Sequence, residues 1–201
     1  MKTVKQSKKY QRLLDAAVDL FMKRGCRHVA VEEIAAEAGI SKVTLYNYFS
    51  SKEQLFIHCV KILTDRHYEQ LQDALSQKSR ATEKIALMFQ FNLEQRNRYS
   101  EVFIADMFGM VHVWKEAGPY RAAKARKLCT EILEEGTSAD EFHILSIPRT
   151  IDLLLSFSEV LTKLYPYDHP EEQEDFLKNM YAFLTGALTC QVPPGGFPHD
   201  M

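Results

Sequence analysis

The 201-residue sequence predicts an all-α protein. Apolar residues recur at helical spacing along most of the chain, and no segment alternates between apolar and polar residues as a half-buried strand would. The breaks between these periodic segments are short and rich in Gly, Pro and Ser. We therefore expect about nine helices. We also expect a disordered tail over residues 192–201, which are rich in Pro and Gly.

The composition excludes several classes of protein. Hydrophobic residues make up 46% of the chain and charged residues 26%, which are values typical of globular proteins. No apolar run approaches the roughly 18 residues that a membrane span needs, and no apolar segment follows the basic N-terminus as in a signal peptide. We expect a cytoplasmic protein without a membrane partner. The cysteines lack metal-ligand spacing, so we expect no metal, no cofactor and free thiols at Cys26, Cys59, Cys129 and Cys190.

Charge is distributed unevenly along the chain. Residues 1–61 contain 11 Lys and Arg against 6 Asp and Glu, whereas the remaining residues contain 14 against 21. The resulting balances of +5 and −7 give the net charge of −2. A basic N-terminal segment on an acidic body indicates that only the first segment meets a polyanion.

The basic segment begins with a polar arm and one amphipathic helix. Residues 1–9 contain four lysines and are expected to be mobile. Residues 10–24 carry one apolar stripe of helical period. Gly25 stands where a glycine commonly terminates a helix, so we expect the helix to end there.

Residues 30–49 have the spacing of a helix-turn-helix motif. Residues 31–38 are mostly helix formers, with two acids in the first turn, where the helix dipole favours negative charge. Gly39 makes the break because it adopts the left-handed conformation that a Cβ resists. Ser41 then occupies an N-cap position, where its hydroxyl can accept from the amide of Val43 or Thr44. The alternative is two packed helices of an ordinary all-α domain.

The second helix of the motif, residues 41–49, exposes side chains that suit DNA. Leu45 and Phe49, with part of Tyr48, point inward. The outward side chains comprise hydroxyls, an amide, a lysine and a phenol, with no acid, at Lys42, Val43, Thr44, Tyr46 and Asn47. A solvated helix face would instead carry Glu, Lys and Gln.

Each outward side chain has a role that DNA can use. Lys42 and Tyr46 can reach phosphates. Thr44 and Asn47 can bond base edges or the DNA backbone, and the methyl groups of Val43 can touch a thymine methyl. Lys52, at the start of a fourth helix that continues to residue 75, adds a positive charge on the same side.

The segment GCRHVAVEEIAAEAGISKVTLYNYFSSKEQLF resembles the DNA-binding region of the TetR family of bacterial transcriptional regulators. The resemblance covers roughly residues 7–67, through the A-GIS, LY-YF and SKEQL elements. It implies a three-helix DNA-binding domain within residues 7–67 and a connecting fourth helix. It also implies a larger helical domain over residues 68–191 that binds a ligand and forms a two-fold dimer through the last two helices. The DNA contacts would come from Ser41, Lys42, Val43, Thr44, Tyr46, Asn47, Tyr48 and Lys52.

Two positions depart from the family pattern. Many members cap the second helix with Ser or Thr, where this chain has Ala30. Losing such a cap costs about 1 kcal/mol, which Glu32 and Glu33 can offset. Many members also have Gly where Val43 stands, so a methyl contact replaces a close backbone approach to phosphate.

The remainder matches the family in helical pattern alone. We expect a helix over residues 82–98, another that is capped by Ser100 and ended by Gly109, and one that opens at Gly118-Pro119 and stops at Gly136. Residues 143–145 could be extended. Two further helices follow, the first bracketed by Pro148 and Pro166, the second opened by the capping pair Asp168 and Glu171 and running through residue 188.

The last two helices carry more apolar surface than one packing face needs. We expect the surplus to form a homodimer interface, in line with the family resemblance. Its residues are Leu154, Phe157, Leu161, Phe176, Met180, Phe183 and Leu184. The alternative is a thick core within one monomer.

The middle helices are rich in aromatic residues and methionine. The resemblance implies a small-molecule effector, which we place against Phe89, Asn92, Phe103, Met107, Met110, His112 and Trp114. Such a stripe also occurs as plain core. His58 and His67 are expected to be solvated or satisfied rather than to contact a ligand. Nothing in the sequence identifies the effector.

The leading hypothesis is therefore a dimeric repressor that binds a pseudo-palindromic operator in double-stranded DNA and is released by a small molecule. Alternatives are control by a protein partner, no effector at all, transcriptional activation, and a broadly binding architectural protein, which the modest basic charge disfavours. A helical enzyme is a remote alternative, because the sequence has no Gly-rich phosphate loop, no HExxH and no G-x-S-x-G. We expect no catalytic residues.

Overall fold

The computed structural model describes residues 8–96, 98–164 and 170–190. The side chains at 92, 93, 95, 96, 157–164, 170, 171 and 173 lie outside this description. The helices are α1 Lys8–Arg24, α2 Val31–Glu37, α3 Lys42–Tyr48, α4 Lys52–Leu75, α5 Ala81–Arg96, α6 Glu101–Gly109, α7 Val111–Ser138, α8 Ile147–Leu164 and α9 Pro170–Thr189. Within the described residues no strand occurs, so the all-α prediction is confirmed. No described helix is long and apolar enough to cross a membrane.

The chain divides into two compact units. The first comprises Met1–Gln70 and Glu94–Ala123, and the second comprises Leu71–Leu93 and Lys124–Met201. Helices α4, α5 and α7 therefore each contribute residues to both units. The sequence-predicted domain limits, 7–67 and 68–191, stay a prediction.

The first unit has an aromatic centre. Phe21 of α1 meets Phe56 of α4 edge-on at 5.1 Å, and Phe56 meets Phe103 of α6 at 5.4 Å. All three rings are buried. Aromatic pairs in this edge-to-face arrangement contribute beyond their buried area. The triplet fixes α1 and α4, which support the helix-turn-helix, against α6.

A buried carboxylate also joins α6 to the turn after α1. Asp106 is 2% exposed and accepts a hydrogen bond from the amide of Arg27 at 2.9 Å. The Arg27 guanidinium Nε lies 3.3 Å from the same carboxylate. Gly25 sits beneath it with a φ of +71°, and an added Cβ would lie 2.7 Å from Asp106 Oδ2. Asp106 thus replaces solvent as the partner of a buried turn.

The loop between α7 and α8 makes several contacts within the second unit. Phe142 of that loop is buried, and the His143 amide donates to the Leu188 carbonyl of α9 at 2.8 Å. The Glu141 carboxylate accepts from the amides of Ala81 and Thr82, each at 3.1 Å, and from the Thr82 hydroxyl at 2.8 Å. Glu141 therefore satisfies the first amides of α5 from a distant part of the chain.

Two sequence expectations about where helices begin are wrong. Helix α1 begins at Lys8, so Lys8 and Lys9 belong to a helix and not to an arm. Helix α7 begins at Val111 and contains Pro119, whereas the sequence placed its start at Gly118-Pro119. The Trp114 amide already donates to the Met110 carbonyl at 3.0 Å, and the Trp114 ring covers Gly118, so the helix forms upstream of the proline.

One further expectation fails around the α7–α8 loop. Gly136 lies inside α7, which continues to Ser138. The glycine serves packing there, because an added Cβ would overlap the Phe142 ring and lie 2.8 Å from Ala81 Cβ. Residues 143–145, for which the sequence allowed an extended backbone, lie in no helix or strand. The predicted cap at Asp168, the proline at Pro166 and the tail over 192–201 lie outside the described residues.

Candidate nucleic-acid interface

Helix α3 is short and is positioned by its ends and one anchor. Leu45 is fully buried. The Ser41 hydroxyl accepts from the Thr44 amide at 3.1 Å, which confirms the predicted N-cap. The preceding turn uses Gly39 at φ +63° and closes with the Ile40 amide donating to the Ala35 carbonyl at 2.9 Å. These contacts fix the direction in which the rest of α3 points.

The outward face of α3 is exposed as the sequence predicts. Val43 is 70% exposed and Tyr46 is 43% exposed. Lys42 and Asn47 are exposed as well, and Thr44 is half-buried. A valine with this exposure, flanked by polar side chains, presents methyl groups to any molecule that docks on α3.

Two hydroxyls on this face are already engaged. Ser41 Oγ and Thr44 Oγ1 are 2.9 Å apart, and either atom can donate. Because a hydroxyl also has two acceptor lone pairs, Thr44 keeps capacity for a base edge or a phosphate. The contact holds the Thr44 side chain at the N-terminal end of α3.

Lys42 has two partners within the protein. Its ammonium forms an ion pair with Glu32 of α2, and it lies 5.9 Å from the centroid of the Tyr46 ring. The hydrogen bond from Lys42 lowers the pKa of Glu32, and the same bond raises the pKa of Lys42. The face of α3 lacks an acid in its own sequence, but α2 supplies one.

Lys52 makes a structural contact. Its ammonium donates to the Val29 carbonyl at 3.0 Å, in the segment that leads into α2. Lys52 is the first residue of α4 and is half-buried. It therefore ties the start of α4 to the start of α2, in addition to any phosphate contact.

An aromatic cluster supports the C-terminal end of α3. Tyr10 of α1 lies 5.1 Å from Tyr48 and 6.1 Å from Phe49, measured between ring centroids. Its hydroxyl is 3.1 Å from His58 Nε2. Burial, with a smaller effect of Lys61, lowers the pKa of His58. His58 is thus satisfied within the protein, as expected.

Three basic residues on α1 were not among the predicted DNA contacts. Lys8, Lys9 and Arg12 are exposed on the helix that contacts α3 through Tyr10. Arg12 Nη1 comes within 3.5 Å of the position that a Cβ on Gly39 would occupy, so its charge lies beside the turn of the helix-turn-helix. The signal was available, because Lys8 and Lys9 directly precede the apolar period of α1.

The predicted effector residues have varied surroundings. In the first unit Phe103 and Met107 are buried, and Phe103 stacks on Tyr99 at 5.2 Å. Trp114 packs 4.6 Å from Phe108, Met110 is half-buried and His112 is exposed. In the second unit Phe89 contacts Tyr181 at 5.7 Å. The side chain of Asn92 lies outside the described residues. An effector site at these positions stays a prediction.

Two crevices lie within the second unit, away from those residues. One of about 530 Å³ lies between α7 and the start of α8, and one of about 260 Å³ lies between α4, α5 and α7. Polar residues form much of the second lining, where Lys84 and Glu135 bridge at 2.6 Å. The described residues hold no group of three metal-ligating side chains.

The predicted dimer residues are only partly described. Phe183 of α9 is 66% exposed, and Leu153 of α8 is 63% exposed. Leu154, Phe176 and Met180 are half-buried, and Leu184 is buried within the unit. The side chains of Phe157 and Leu161 lie outside the described residues. The dimer interface stays a prediction.

Comparison with known proteins also relates the N-terminal region to the TetR family, in agreement with the resemblance seen in the sequence. The profile of the family described as "Bacterial regulatory proteins, tetR family" matches residues 13–59. The chain is 34% identical over 80 residues to the fatty acid metabolism regulator protein of Bacillus subtilis, covering 40% of this chain and 41% of that protein. It is 25% identical over 189 residues to the HTH-type transcriptional repressor KstR2 of Mycolicibacterium smegmatis, covering 88% and 89% respectively.

Solved structures extend the likeness in fold to most of the chain. The fatty acid degradation regulator FadR of Bacillus halodurans superposes with a TM-score of 0.71 at 19% identity, covering 92% of this chain and 98% of that one. A transcriptional regulator from Cytophaga hutchinsonii gives a TM-score of 0.74 at 17% identity, covering 92% and 100%. Residues 13–59 therefore form a DNA-binding domain of the type found in the TetR family of bacterial regulatory proteins.

Proposed function

We propose that this protein regulates transcription as a homodimeric repressor that binds a pseudo-palindromic operator and is released by a small molecule. The observation that carries the DNA-binding part is the exposed face of α3, where Val43, Thr44 and Asn47 stand on a helix anchored by Leu45 and capped by Ser41. Anchored side chains of this kind read base edges in the major groove.

Exposed apolar residues on the last two helices support the dimer. Leu153 and Phe183 are each more than 60% exposed, so large apolar side chains on both helices are available to an interface, and a contiguous apolar patch marks such an interface. Two copies related by a dyad would place two α3 helices in successive major grooves, about 34–36 Å apart. The operator would then consist of two inverted half-sites.

An apolar effector suits the middle helices, which are rich in Phe and Met. The Bacillus subtilis relative is named for fatty acid metabolism, and a solved Bacillus subtilis FadR, similar in fold, is described in complex with stearoyl-CoA. These names supply ligand classes to test on this chain. Release requires the effector to favour one of two arrangements, with a coupling of about 1–3 kcal/mol.

Activation of transcription is the second candidate. The HTH-type transcriptional activator FasR of Mycolicibacterium smegmatis is 39% identical over 70 residues, which cover 35% of this chain and 30% of that protein. A DNA-binding domain of one type serves either outcome, because the result depends on where the operator lies relative to the promoter. Footprinting on the chromosome separates the two.

The test is selection of duplexes from a random pool by the full-length protein, followed by gel shifts. We expect enrichment of an inverted repeat with half-sites about one helical turn apart. Stearoyl-CoA, free fatty acids and a steroid are then added to the complex, and release by one class is expected. Absence of an enriched sequence would overturn the DNA-binding part, whereas enrichment without release by any of them would overturn the apolar effector.

A further inference from the structure

We propose that Glu32 restrains the sequence-independent DNA affinity of this protein by competing with phosphate for Lys42. This inference rests on the proposed DNA-binding face. It assigns a role to a residue of α2 that is outside the predicted set of DNA contacts. The pair lies at the N-terminal ends of the two helices of the motif, Glu32 on α2 and Lys42 on α3.

The geometry makes Glu32 the nearest anion to the DNA-facing lysine. Lys42 is the first residue of α3, and its ammonium pairs with the Glu32 carboxylate while lying over the Tyr46 ring. The side chains of Lys42 and Glu32 are 52% and 62% exposed. An ion pair this exposed is weak and exchanges readily, so a phosphate can displace the carboxylate but must compete with it.

The consequence is largest for DNA of arbitrary sequence. Contacts between phosphates and basic side chains supply essentially all of the free energy of non-specific binding. A lysine that is paired within the protein contributes less to that free energy than a free one does. Because a genome offers a vast excess of competing sites, weaker non-specific binding raises operator occupancy.

The same helical turn provides a matched control. Glu33 neighbours Glu32 and also forms an ion pair, but its partner is Arg24 at the end of α1, at 2.5 Å. Arg24 also donates to the His28 carbonyl at 2.7 Å. Glu33→Gln removes the same charge from the same turn and leaves the pairing of Lys42 unchanged.

The experiment measures affinity for a fluorescent duplex of random sequence and about 30 base pairs, by anisotropy over a salt series. Glu32→Gln is expected to tighten binding roughly three- to tenfold at low salt and to steepen the salt dependence by up to one counterion. Glu33→Gln is expected to change affinity less than half as much. In a Lys42→Ala background, the effect of Glu32→Gln is expected to fall by at least half.

Equal effects of the two Glu→Gln changes would overturn the proposal, because the charge of the turn alone would then explain them. An undiminished Glu32→Gln effect without Lys42 would overturn it too. If instead the assignment of the DNA-binding face to α3 is wrong, Lys42→Ala alone would leave the affinity for the duplex unchanged. This outcome is distinct from the two outcomes that overturn the role of Glu32. Thermal unfolding of each variant, followed by circular dichroism, checks that the fold is retained.

Discussion

At the scale of single residues, Lys42 and Lys52 are the two cations that the sequence assigns to phosphate, and the structure gives each a protein partner. The partner of Lys42 is the side-chain carboxylate of Glu32, whereas the partner of Lys52 is the backbone carbonyl of Val29. A side-chain partner on the surface can be exchanged for phosphate. A carbonyl at the entry to a helix is a fixed structural group, so the two lysines should respond differently to mutation.

Lys52→Ala should lower both stability and DNA affinity. Loss of the bond to Val29 removes about 1 kcal/mol of folding free energy and loosens the entry to α2 relative to α4. Denaturant unfolding and gel shifts measure the two effects. Lys42→Ala is the comparison: it should weaken DNA binding and leave the unfolding midpoint nearly unchanged. If Lys52→Ala has the same stability as the wild type, the contact with Val29 does not contribute to the free energy of folding.

Residue-level features that depend on near neighbours were predictable from the sequence. Ser41 and Ser100 were recognised as caps because their partners lie three residues away, at Thr44 and Phe103. The partners of Lys42 and Lys52 lie 10 and 23 residues away. No local pattern encodes such pairs, because they depend on how the turn after α2 and the start of α4 come together.

At the scale of helices, Glu141 shows how one element can cap another. Its carboxylate binds the first two residues of α5, and its hydrogen bonds with Thr82 are the main cause of its lowered pKa. A group with a lowered pKa in the folded state stabilises the protein above its unfolded pKa. That stabilisation is lost as the pH falls through the folded-state pKa.

Glu141→Ala should therefore lower the melting temperature at neutral pH, because the amides of Ala81 and Thr82 lose their acceptor. The difference from wild type should shrink as the pH falls below the ordinary range for a glutamate. Calorimetry over a pH series measures it. Glu134→Ala, also in the second unit and exposed, is the control and should change little. A pH-independent difference would show that charge is not the basis of the cap.

Gly136→Ala should destabilise the second unit despite the higher helix propensity of alanine. The new methyl group would overlap the Phe142 ring, and overpacking of this kind costs about 1–3 kcal/mol. Gly186→Ala is the control, since nothing lies within 4 Å of a Cβ at that position. Denaturant unfolding should show a loss for the first variant and none for the second. Equal midpoints would mean that Phe142 moves aside without cost.

Helix ends were the weakest part of the sequence prediction. Glycine and proline were treated as breaks, yet Pro119 and Gly136 both lie within α7. An interior proline removes one helical hydrogen bond and crowds the preceding turn, yet α7 is helical on both sides of Pro119. Within this helix the Trp114 ring packs on Gly118, and the Phe142 ring packs on Gly136. A local sequence pattern does not show which side chains pack against each other in three dimensions.

At the scale of the whole molecule, the proposed dimer predicts a sedimenting species of twice the chain mass of 23.2 kDa at micromolar concentration. Phe183→Glu should shift the protein towards monomer, because a charge would have to be buried at the interface. Leu145→Glu is the control: Leu145 is 84% exposed and lies outside the proposed interface. A monomeric wild type, or equal effects of the two variants, would contradict the dimer.

The overall architecture was predictable because helical periodicity extends along most of the chain and the helix-turn-helix has a specific local pattern. The effector and dimer residues could not be predicted from the sequence with the same specificity. Aromatic and methionine side chains form core, pocket and interface alike, as the buried Phe103 and the exposed Phe183 illustrate. Their roles depend on partners that are separate molecules.

The central claim is that the exposed face of α3 chooses the DNA sequence. The most direct measurement is the ratio of affinities for the selected duplex and for a shuffled duplex of the same composition, determined for wild type and Asn47→Ala. We expect this ratio to fall roughly tenfold, since a bidentate base contact is worth about 1–3 kcal/mol of discrimination. Affinity for the shuffled duplex should stay nearly unchanged. An unaltered ratio for both Asn47→Ala and Thr44→Ala would contradict the account.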